Sequence, residues 1–319
     1  MTRFLVRRTI EMGVTLVLAS VLLFGMLNLA PGGPFDARVA SAHIQDPNYL
    51  DRLNKLIGLD KPIHERYIAW VGNVIHGNLG DSWTIARGQS VNTIIGSRLP
   101  NTIMLMTTGL LFSLLMAIAI GTISAVRQYS LLDNFFTAFS FFGISIPAFW
   151  FGLIMLKFFG LELKIFPVGG IYTVGHQDDY LDRLWHLILP MIVLSLLQVA
   201  QWSRFLRSSL LETLRQDYVR TARAKGQIER LVLFRHAFRN ALIPLVTVIA
   251  LAIPTLFGGA IFTETIFNWP GMGQLLIGAV NSLDWPVAMG VVIITAGLTI
   301  VANFLADVAY VIVDPRIRY

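Results

Sequence analysis

Long apolar runs separated by short polar segments are the dominant pattern of this chain. Six of the runs contain no Asp, Glu, Lys or Arg, and each is long enough to cross a bilayer, which takes about 20 residues of helix. They are Met12–Phe35, Leu99–Val126, Asn134–Leu156, Leu184–Ser203, Asn240–Thr263 and Trp285–Ala306. The pattern predicts an all-α polytopic membrane protein with six transmembrane helices, whose core is the interior of the helix bundle.

Composition and the placement of charge agree with this prediction. Of the 319 residues, 14% are charged and 55% are apolar, whereas a soluble domain carries about 25% charged residues. The net charge of +6 does not indicate nucleic-acid binding, because the basic residues are concentrated in particular loops. Nine Lys and Arg lie from Arg204 to Arg239, and residues 266–284 have none. Loops rich in Lys and Arg stay in the cytoplasm, so we expect both termini there.

The first apolar run is expected to be an uncleaved span. Residues 1–30 begin with basic residues and continue as an apolar run, as a signal peptide does. The run exceeds the 7–15 residues that are usual for a signal peptide, and Pro31 follows Ala30 where cleavage would fall. We therefore divide the chain into a transmembrane helix at 1–30, an extracytoplasmic segment at 31–98, a membrane domain of five helices at 99–308 and a cytoplasmic tail at 309–319.

The extracytoplasmic segment is predicted to contain two amphipathic helices. The apolar face of the first one ends at Gly58, and the second begins after Pro62 and ends near Gly77. The two faces consist of Leu50, Leu53, Leu56 and Ile57, and of Ile63, Tyr67, Trp70, Val71 and Val74. These helices lie on the membrane, receive an external partner or pack on the bundle, and the sequence leaves these alternatives open.

Polar and small residues inside the apolar runs indicate how the helices meet. The second run contains small residues that permit close helix approach, namely Gly109, Ser113, Ala117, Gly121, Ser124 and Ala125. In the fourth run Ser195, Gln198 and Gln201 recur at every third position, and glutamines that face lipid are costly. In the third run Ser145 precedes Pro147, which bends a helix where a cavity tolerates it. We expect Ser145, Ser195, Gln198 and Gln201 to line a substrate pathway; hydrogen bonding between helices without a pore is the alternative.

The segment Asp217–Pro244 is basic and too highly charged to lie in hydrocarbon. Gly226 divides it into two short helical pieces, and Asp217 is placed to cap the first of them. In the second piece Leu231, Phe234 and Phe238 fall at helical spacing and form an apolar face. The pattern predicts a structured cytoplasmic loop with an apolar side that needs a partner; a solvated loop that only sets the topology is the alternative.

Several kinds of chemistry have no motif in this sequence. The dipeptide Gly-Lys of a phosphate-binding loop never occurs, and there is neither a Gly-x-Ser-x-Gly elbow nor a cysteine. The six histidines, at 43, 64, 76, 176, 186 and 236, show no metal-ligand spacing. No ionisable residue lies deep in a span, which disfavours an ion-coupled secondary transporter. We therefore expect a non-catalytic protein without cofactor or metal, driven by energy that enters through the basic loop.

The basic loop resembles the coupling segment of ABC-importer permeases, whose pattern is Glu-Ala-Ala, three residues, Gly. Here the corresponding residues are Arg220-Thr221-Ala222 and Gly226, so the Glu and the first Ala are replaced. That departure is typical of the oligopeptide/dipeptide permease family, which the chain also resembles in other stretches. They are Arg7-Arg8, Leu29–Gly32, Leu56–Pro62, Gly77–Gly80, Ser145–Pro147, Asp217–Gly226, Arg235–Pro244, Glu264–Gly273 and Asp314–Arg316.

The resemblance covers nearly the whole chain and looks like the B-type permease subunit. It implies a type I ABC importer permease fold and a bacterial inner-membrane heterodimer with a second homologous permease. It further implies two cytoplasmic ATPase subunits, which bind ATP and Mg, and an extracytoplasmic binding protein. The residues that the resemblance assigns to ATPase coupling are Thr221, Ala222, Arg223, Ala224, Lys225, Gly226 and Gln227.

The cargo is the least determined part of this interpretation. Peptides are the family's most frequent cargo, and oligosaccharides, nickel chelates and haem are the alternatives within the same importer class. An ion-coupled secondary transporter would instead need midplane ionisable residues and an inverted repeat, neither of which is visible in the sequence.

Overall fold

The computed structural model describes residues 2–29, 49–56 and 58–313. These residues form helices, and the β structure among them is limited to a bridge between Asp81 and Ser90. Two helices continue as π-helices: α6 through Leu156–Glu162 and α9 through Val232–Phe238. The helices are α1 Thr2–Leu29, α2 Tyr49–Leu56, α3 Ile63–Ile75, α4 Val91–Val126, α5 Leu131–Ser145, α6 Ala148–Met155, α7 Tyr180–Leu214, α8 Asp217–Ala224, α9 Glu229–Leu231, α10 Arg239–Ile266, α11 Met272–Asn281 and α12 Trp285–Val313.

Four helices among the described residues are long and apolar enough to cross a membrane: Thr9–Leu29, Val91–Val126, Tyr180–Leu214 and Trp285–Phe304. A fifth crossing results if α5 and the α6 segment, which are bent by 109° relative to each other, form one span. Helix α10 covers the predicted run Asn240–Thr263, but its side chains at 253–259 lie outside the described residues. The multi-pass helical architecture is confirmed, and the count of six spans stays a prediction.

The third predicted span is interrupted at Pro147, where α5 and the α6 segment are bent by 109° relative to each other. Ile146 has an extended backbone, with φ −91° and ψ 129°, because the ring of the following proline disfavours a helical conformation at the residue before it. Pro147 then precedes the first residue of α6, where its missing N–H costs nothing. Pro147 was expected to bend this span, and the structure breaks the helix there.

The chain divides into two units, the first comprising Met1–Asn101 and Pro270–Ile300. In this unit the two predicted amphipathic helices form as α2 and α3, and Gly58 and Gly77 follow them with positive φ. Helix α3 packs on α1, since the Tyr67 hydroxyl lies 2.8 Å from Ser20 Oγ and its ring centroid lies 5.4 Å from that of Phe24. Packing on the bundle, one of the three alternatives, therefore applies to this face of α3.

The first unit also contains a buried carboxylate that no motif indicated. Asp284, which is fully buried, accepts hydrogen bonds from the Ser82 hydroxyl at 2.5 Å and from the backbone N–H groups of Trp83, Thr84 and Ile85 at 2.9–3.1 Å. Burial raises the pKa of Asp284, but these hydrogen bonds outweigh it and hold the pKa below its ordinary value. Asp284 thus fixes residues 82–85 against the start of α12.

The segment between α10 and α12 contains a short helix of its own. Residues 266–284 carry no Lys or Arg, and the apolar helix α11 occupies Met272–Asn281 among them. Met272, Gly273, Leu275 and Ala279 are buried on one side of it. At ten residues α11 is too short to cross a bilayer, and its buried face explains why the run is apolar.

The second unit comprises Thr102–Trp269 and Val301–Tyr319, and small residues hold α4 against α7 within it. A Cβ on Gly121 would lie 2.7 Å from the backbone oxygen of Ser203, and one on Gly109 would lie 3.0 Å from Leu194 Cδ2. Ser113 and Ala117, which lie between these glycines, are fully buried. These distances confirm the close helix approach that was predicted for the second run. A larger side chain at Gly121 would separate the two helices.

Candidate coupling segment and pathway residues

The first helical piece of the basic segment is α8, which the structure places across the end of α7. Its N-cap is Gln216, without a side-chain hydrogen bond to the free N–H groups of the first turn. The prediction that Asp217 caps α8 is therefore wrong. Asp217 is the first helical residue, and its exposed carboxylate lies 3.6 Å from Arg220 Nη1, where it still favours the positive end of the helix dipole.

Gly226 ends α8 in the conformation that the division into two pieces requires. Its φ is +76°, a region that residues with a Cβ rarely adopt. The Gly226 N–H donates to the Arg223 carbonyl at 2.9 Å, and the Gln227 N–H donates to the Ala222 carbonyl at 3.4 Å. This is the hydrogen-bond pattern of a Schellman motif, in which a left-handed residue terminates the helix. Among the described residues, and apart from its two neighbours in the chain, no atom lies within 4 Å of a Cβ built on Gly226, so this corner is open to an approaching surface.

The inner face of α8 packs on the protein's own core. Val219 and Ala222 are buried in a cluster that contains Trp202, Leu206 and Leu210 of α7 and Val232, Ala237, Ala241 and Leu245 from the chain after α8. Ala222 was assigned to direct contact with an ATPase through its small size. In the structure Ala222 is only 5% exposed and its methyl group packs on the core of the chain. Its assignment to ATPase coupling stays a prediction.

The outer face of α8 carries the remaining residues of the predicted coupling set. Thr221, Arg223, Ala224, Lys225 and Gly226 are exposed. Arg223 forms a two-pronged ion pair with Glu229, with Nη2 2.5 Å from Oε1. The hydrogen bond between them lowers the pKa of Glu229 and raises the pKa of Arg223. This pair bridges the corner at Gly226, and within the residues that the structure describes Lys225 forms no ion pair.

Gln227, the last residue of the predicted set, faces the chain itself. It is half-buried, and its Oε1 lies 2.9 Å from Nε2 of His236 in the π-helix. The bond joins the turn after Gly226 to the segment that leads into α10. Gln227 therefore stabilises the turn after Gly226 through a hydrogen bond inside the chain.

The second helical piece winds differently from the prediction. Residues 232–238 form a π-helix, in which hydrogen bonds run from residue i to i+5 and positions five apart share a face. Accordingly Val232 and Ala237 are the buried residues, whereas Leu231 and Phe234 are exposed. The predicted apolar face of Leu231, Phe234 and Phe238 assumed α-helical spacing; of these residues only Phe238 packs against the core.

The predicted pathway residues do not form one continuous stripe. Ser195 is fully buried and donates to the Gly109 carbonyl at 3.0 Å and the Met191 carbonyl at 2.5 Å, so it bonds between helices. Gln198 is buried, and its Oε1 has no hydrogen-bond partner in the described protein. Gln201 and Ser145 are exposed. Gln201 lines an open surface cavity of about 320 Å³ between α5 and α7, together with Ile144, Arg204 and Phe205.

An ion pair between α5 and α7 was missed. Arg207 donates from Nε and Nη2 to the two carboxylate oxygens of Asp133, both at 2.7 Å, and Asp133 is 2% exposed. The backbone N–H of Tyr129 donates to the same carboxylate at 2.9 Å. The available signal was Ser130 followed three residues later by Asp133, which is a capping pattern. Within the described residues no cluster of three or more His, Asp or Glu could hold a metal ion.

Comparison with known proteins identifies the family. The model of the binding-protein-dependent transport system inner membrane component matches residues 117–319, and the model of the N-terminal part of such membrane components matches residues 1–106. The oligopeptide transport system permease protein AppB of Bacillus subtilis is 40% identical over all of both chains. A putative peptide permease protein of Brucella suis is 44% identical over 98% of this chain and 97% of its own length.

Two further similarities concern the length and the fold. The dipeptide transport system permease protein DppB of Escherichia coli is 35% identical over 100% of this chain and 99% of its own length. A chain of the MetNI methionine ABC transporter, solved in inward-facing conformations, matches with a TM-score of 0.55 at 17% identity, over 69% of this chain and 96% of its own. At that identity the structural match shows the fold alone. The chain belongs to the family of binding-protein-dependent transport system inner membrane components and has the type I ABC importer permease fold.

Proposed function

We propose that this chain is the permease subunit of an ATP-driven importer that carries peptides across the inner membrane. The observation that carries the proposal is full-length similarity to permeases named for oligopeptides, di/tripeptides and dipeptides, at 35–40% identity. Because these alignments cover 99–100% of both chains, they include the coupling segment and every predicted span.

In this proposal the chain does not hydrolyse ATP. Two ATPase subunits bind ATP and Mg on the cytoplasmic side, a second homologous permease completes the membrane part, and an extracytoplasmic binding protein delivers the cargo. Both termini lie in the cytoplasm. The sequence supports this division of labour, since it lacks a phosphate-binding loop.

Coupling in this proposal runs through α8. The exposed residues Thr221 and Arg223 to Gly226 meet an ATPase at the open corner around Gly226. Its buried residues, Val219 and Ala222, rest on Trp202 and Leu206 of α7. A displacement of α8 by ATPase closure is therefore passed by direct packing to a helix that crosses the membrane, and such packed elements move as units.

The test is ATP-dependent uptake into proteoliposomes that contain this chain with its partner subunits and binding protein. A labelled tripeptide should accumulate only when ATP and Mg are present on the ATPase side. An oligosaccharide, a nickel chelate and haem are offered in parallel. Preferential accumulation of one of these, with no peptide uptake, would contradict the peptide cargo, whereas ATPase activity of the chain purified alone would contradict the division of labour.

A further inference from the structure

The cavity beside Gln201 contains a positive charge that the predicted pathway did not include. Ile144, Gln201, Arg204 and Phe205 line its volume of about 320 Å³. Gln201 and Arg204 are one helical turn apart on α7, so their side chains leave the same face of the helix. The site thus combines an amide, a guanidinium and apolar side chains at the cytoplasmic end that the sequence predicts for the fourth apolar run.

The Arg204 guanidinium is held by an aromatic ring and by no acid. Its central carbon lies 4.4 Å from the ring centroid of Phe141 on α5, a distance typical of a cation–π contact. In the part of the chain that the structure describes, Arg204 makes no ion pair or side-chain hydrogen bond. This contact uses the charge of the guanidinium and none of the described oxygen atoms, so its N–H donors remain available to a ligand.

Arg207, one turn further along α7, shows the contrasting situation. Both of its carboxylate bonds go to the buried Asp133, so its charge is satisfied within the chain and its role is structural. Arg204 lies on the same helix without such a partner. The difference indicates that Arg204 serves something outside this chain that carries a planar oxyanion, since carboxylates match the fork of arginine in a bidentate manner.

We propose that Arg204, oriented by Phe141 and flanked by Gln201, binds the terminal carboxylate of the peptide as it passes the cavity. This inference rests on the proposed function and adds a residue that determines specificity. Ile144 and Phe205 offer apolar contacts for the carbon atoms of the peptide. The Gln201 amide offers both a donor and an acceptor, which a peptide bond complements and a simple anion does not.

The test uses the complete importer in proteoliposomes, with p-benzoylphenylalanine in place of Phe205 as a photocrosslinker that lines the cavity. During ATP turnover a labelled tripeptide should cross-link to this position. R204Q should lower both the cross-link and the uptake about tenfold, as expected for loss of a charge-assisted contact. R204K keeps the charge without the fork and should lower them about threefold. R127Q, which removes an exposed arginine elsewhere in the chain, is the matched control and should change neither.

Two further arms make the outcomes distinct. Vesicles of neutral lipid and of anionic lipid are compared, because a lipid phosphate is the other oxyanion available at a span; cross-linking to lipid instead of peptide, or an R204Q effect confined to anionic vesicles, would overturn the inference. If peptide uptake proceeds but position 205 never labels the peptide, or R204Q is unimpaired, the inference fails and the proposed function stands. If R204Q does not assemble with the ATPases, R204K decides: the threefold loss of cross-link and uptake supports the inference, and an R204K importer unchanged in both would overturn it.

Discussion

The coupling segment and the Asp284 region are held in opposite ways. Around α8, apolar side chains such as Val219 and Ala222 face the core and the charges point outward. Around Asp284, one buried carboxylate collects hydrogen bonds from a hydroxyl and three backbone N–H groups. Apolar packing is non-directional and tolerates small displacements, whereas a set of directed hydrogen bonds to one carboxylate does not. The segment proposed to transmit motion is thus held by apolar packing, and residues 82–85 are held by directed hydrogen bonds.

The largest effect is expected from Ala222→Asp, which would place a carboxylate without a partner in the cluster around Trp202 and Leu206. An unpaired buried charge costs several kcal/mol, so α8 should detach while the spans stay inserted. Uptake should be lost, and limited trypsin digestion should cleave at Arg223 or Lys225 faster than in the native protein. Ala222→Ser, nearly equal in size, is the control and should keep most of the activity. If an importer with Ala222→Asp were active, transport would not require α8 to pack on α7.

The second largest effect is expected from Asp284→Ala. It removes the acceptor of four hydrogen bonds and leaves those donors buried, at a cost of about 3 kcal/mol or more. The melting temperature of the purified protein should fall, and Asp284→Asn, which keeps one carbonyl oxygen, should fall less. A melting temperature unchanged in Asp284→Ala would mean that residues 82–85 do not depend on this carboxylate.

The same carboxylate predicts a pH dependence with a definite sign. Because the pKa of Asp284 is depressed in the folded state, its contribution to stability is present above the ordinary carboxyl pKa of about 3.9. The contribution is lost as the pH falls from there through the folded pKa. Melting temperatures measured between about pH 3 and 6 should therefore fall on the acid side, and they should fall less in Asp284→Asn. An equal fall in both proteins would assign the acid sensitivity to other groups.

Substitutions of Gly226 separate two reasons for a glycine there. Gly226→Leu combines a strained backbone, costing about 1–2 kcal/mol, with a bulky side chain at the open corner. Gly226→Asn also adds a side chain, but asparagine adopts positive φ far more readily. Co-purification with the ATPase subunits should be lost for Leu and partly kept for Asn if the turn is what matters. Equal loss in both would mean that close approach of the ATPase is the stronger requirement.

The smallest effect is expected from Glu229→Gln, which breaks the exposed ion pair with Arg223. Pairs of this kind contribute well under about 1 kcal/mol, so stability should hardly change. The rate of uptake by the Glu229→Gln importer should stay within about twofold of the native rate at both low and high salt. A large loss of uptake would give the pair a role in docking beyond its place at the corner.

The elements that the sequence predicted well are those set by local rules. Gly58, Gly77 and Gly226 each follow a helix with positive φ, and absence of charge located the long apolar helices. The small residues of α4 also behaved as expected, because Gly109 and Gly121 face α7 at close range. These features depend on backbone freedom, hydropathy and side-chain size, which a single sequence displays directly.

The errors come from contacts between segments far apart in the chain. Nothing adjacent to Asp284 announces that residues 82–85 will bond to it, and Asp133 and Arg207 are 74 positions apart. The exposed position of Phe234 could not be foreseen either, because its prediction assumed 3.6 residues per turn where the chain forms a π-helix. Ala222 was assigned to an ATPase contact because the sequence does not show that residues of α7 pack against it.

The π-helix at Val232–Phe238 makes the direction of the coupling corner depend on residue count. An α-helix advances about 100° per residue, and a π-helix corresponds to one extra residue accommodated in a turn. Removing a single residue from this stretch would let it relax to an α-helix and would swing everything before it by about that angle around the axis of α10. Lys225 and Gly226 would then face a different side of the molecule, with no change in their own sequence. The direction in which the coupling corner points therefore depends on the number of residues in the π-helix that follows it.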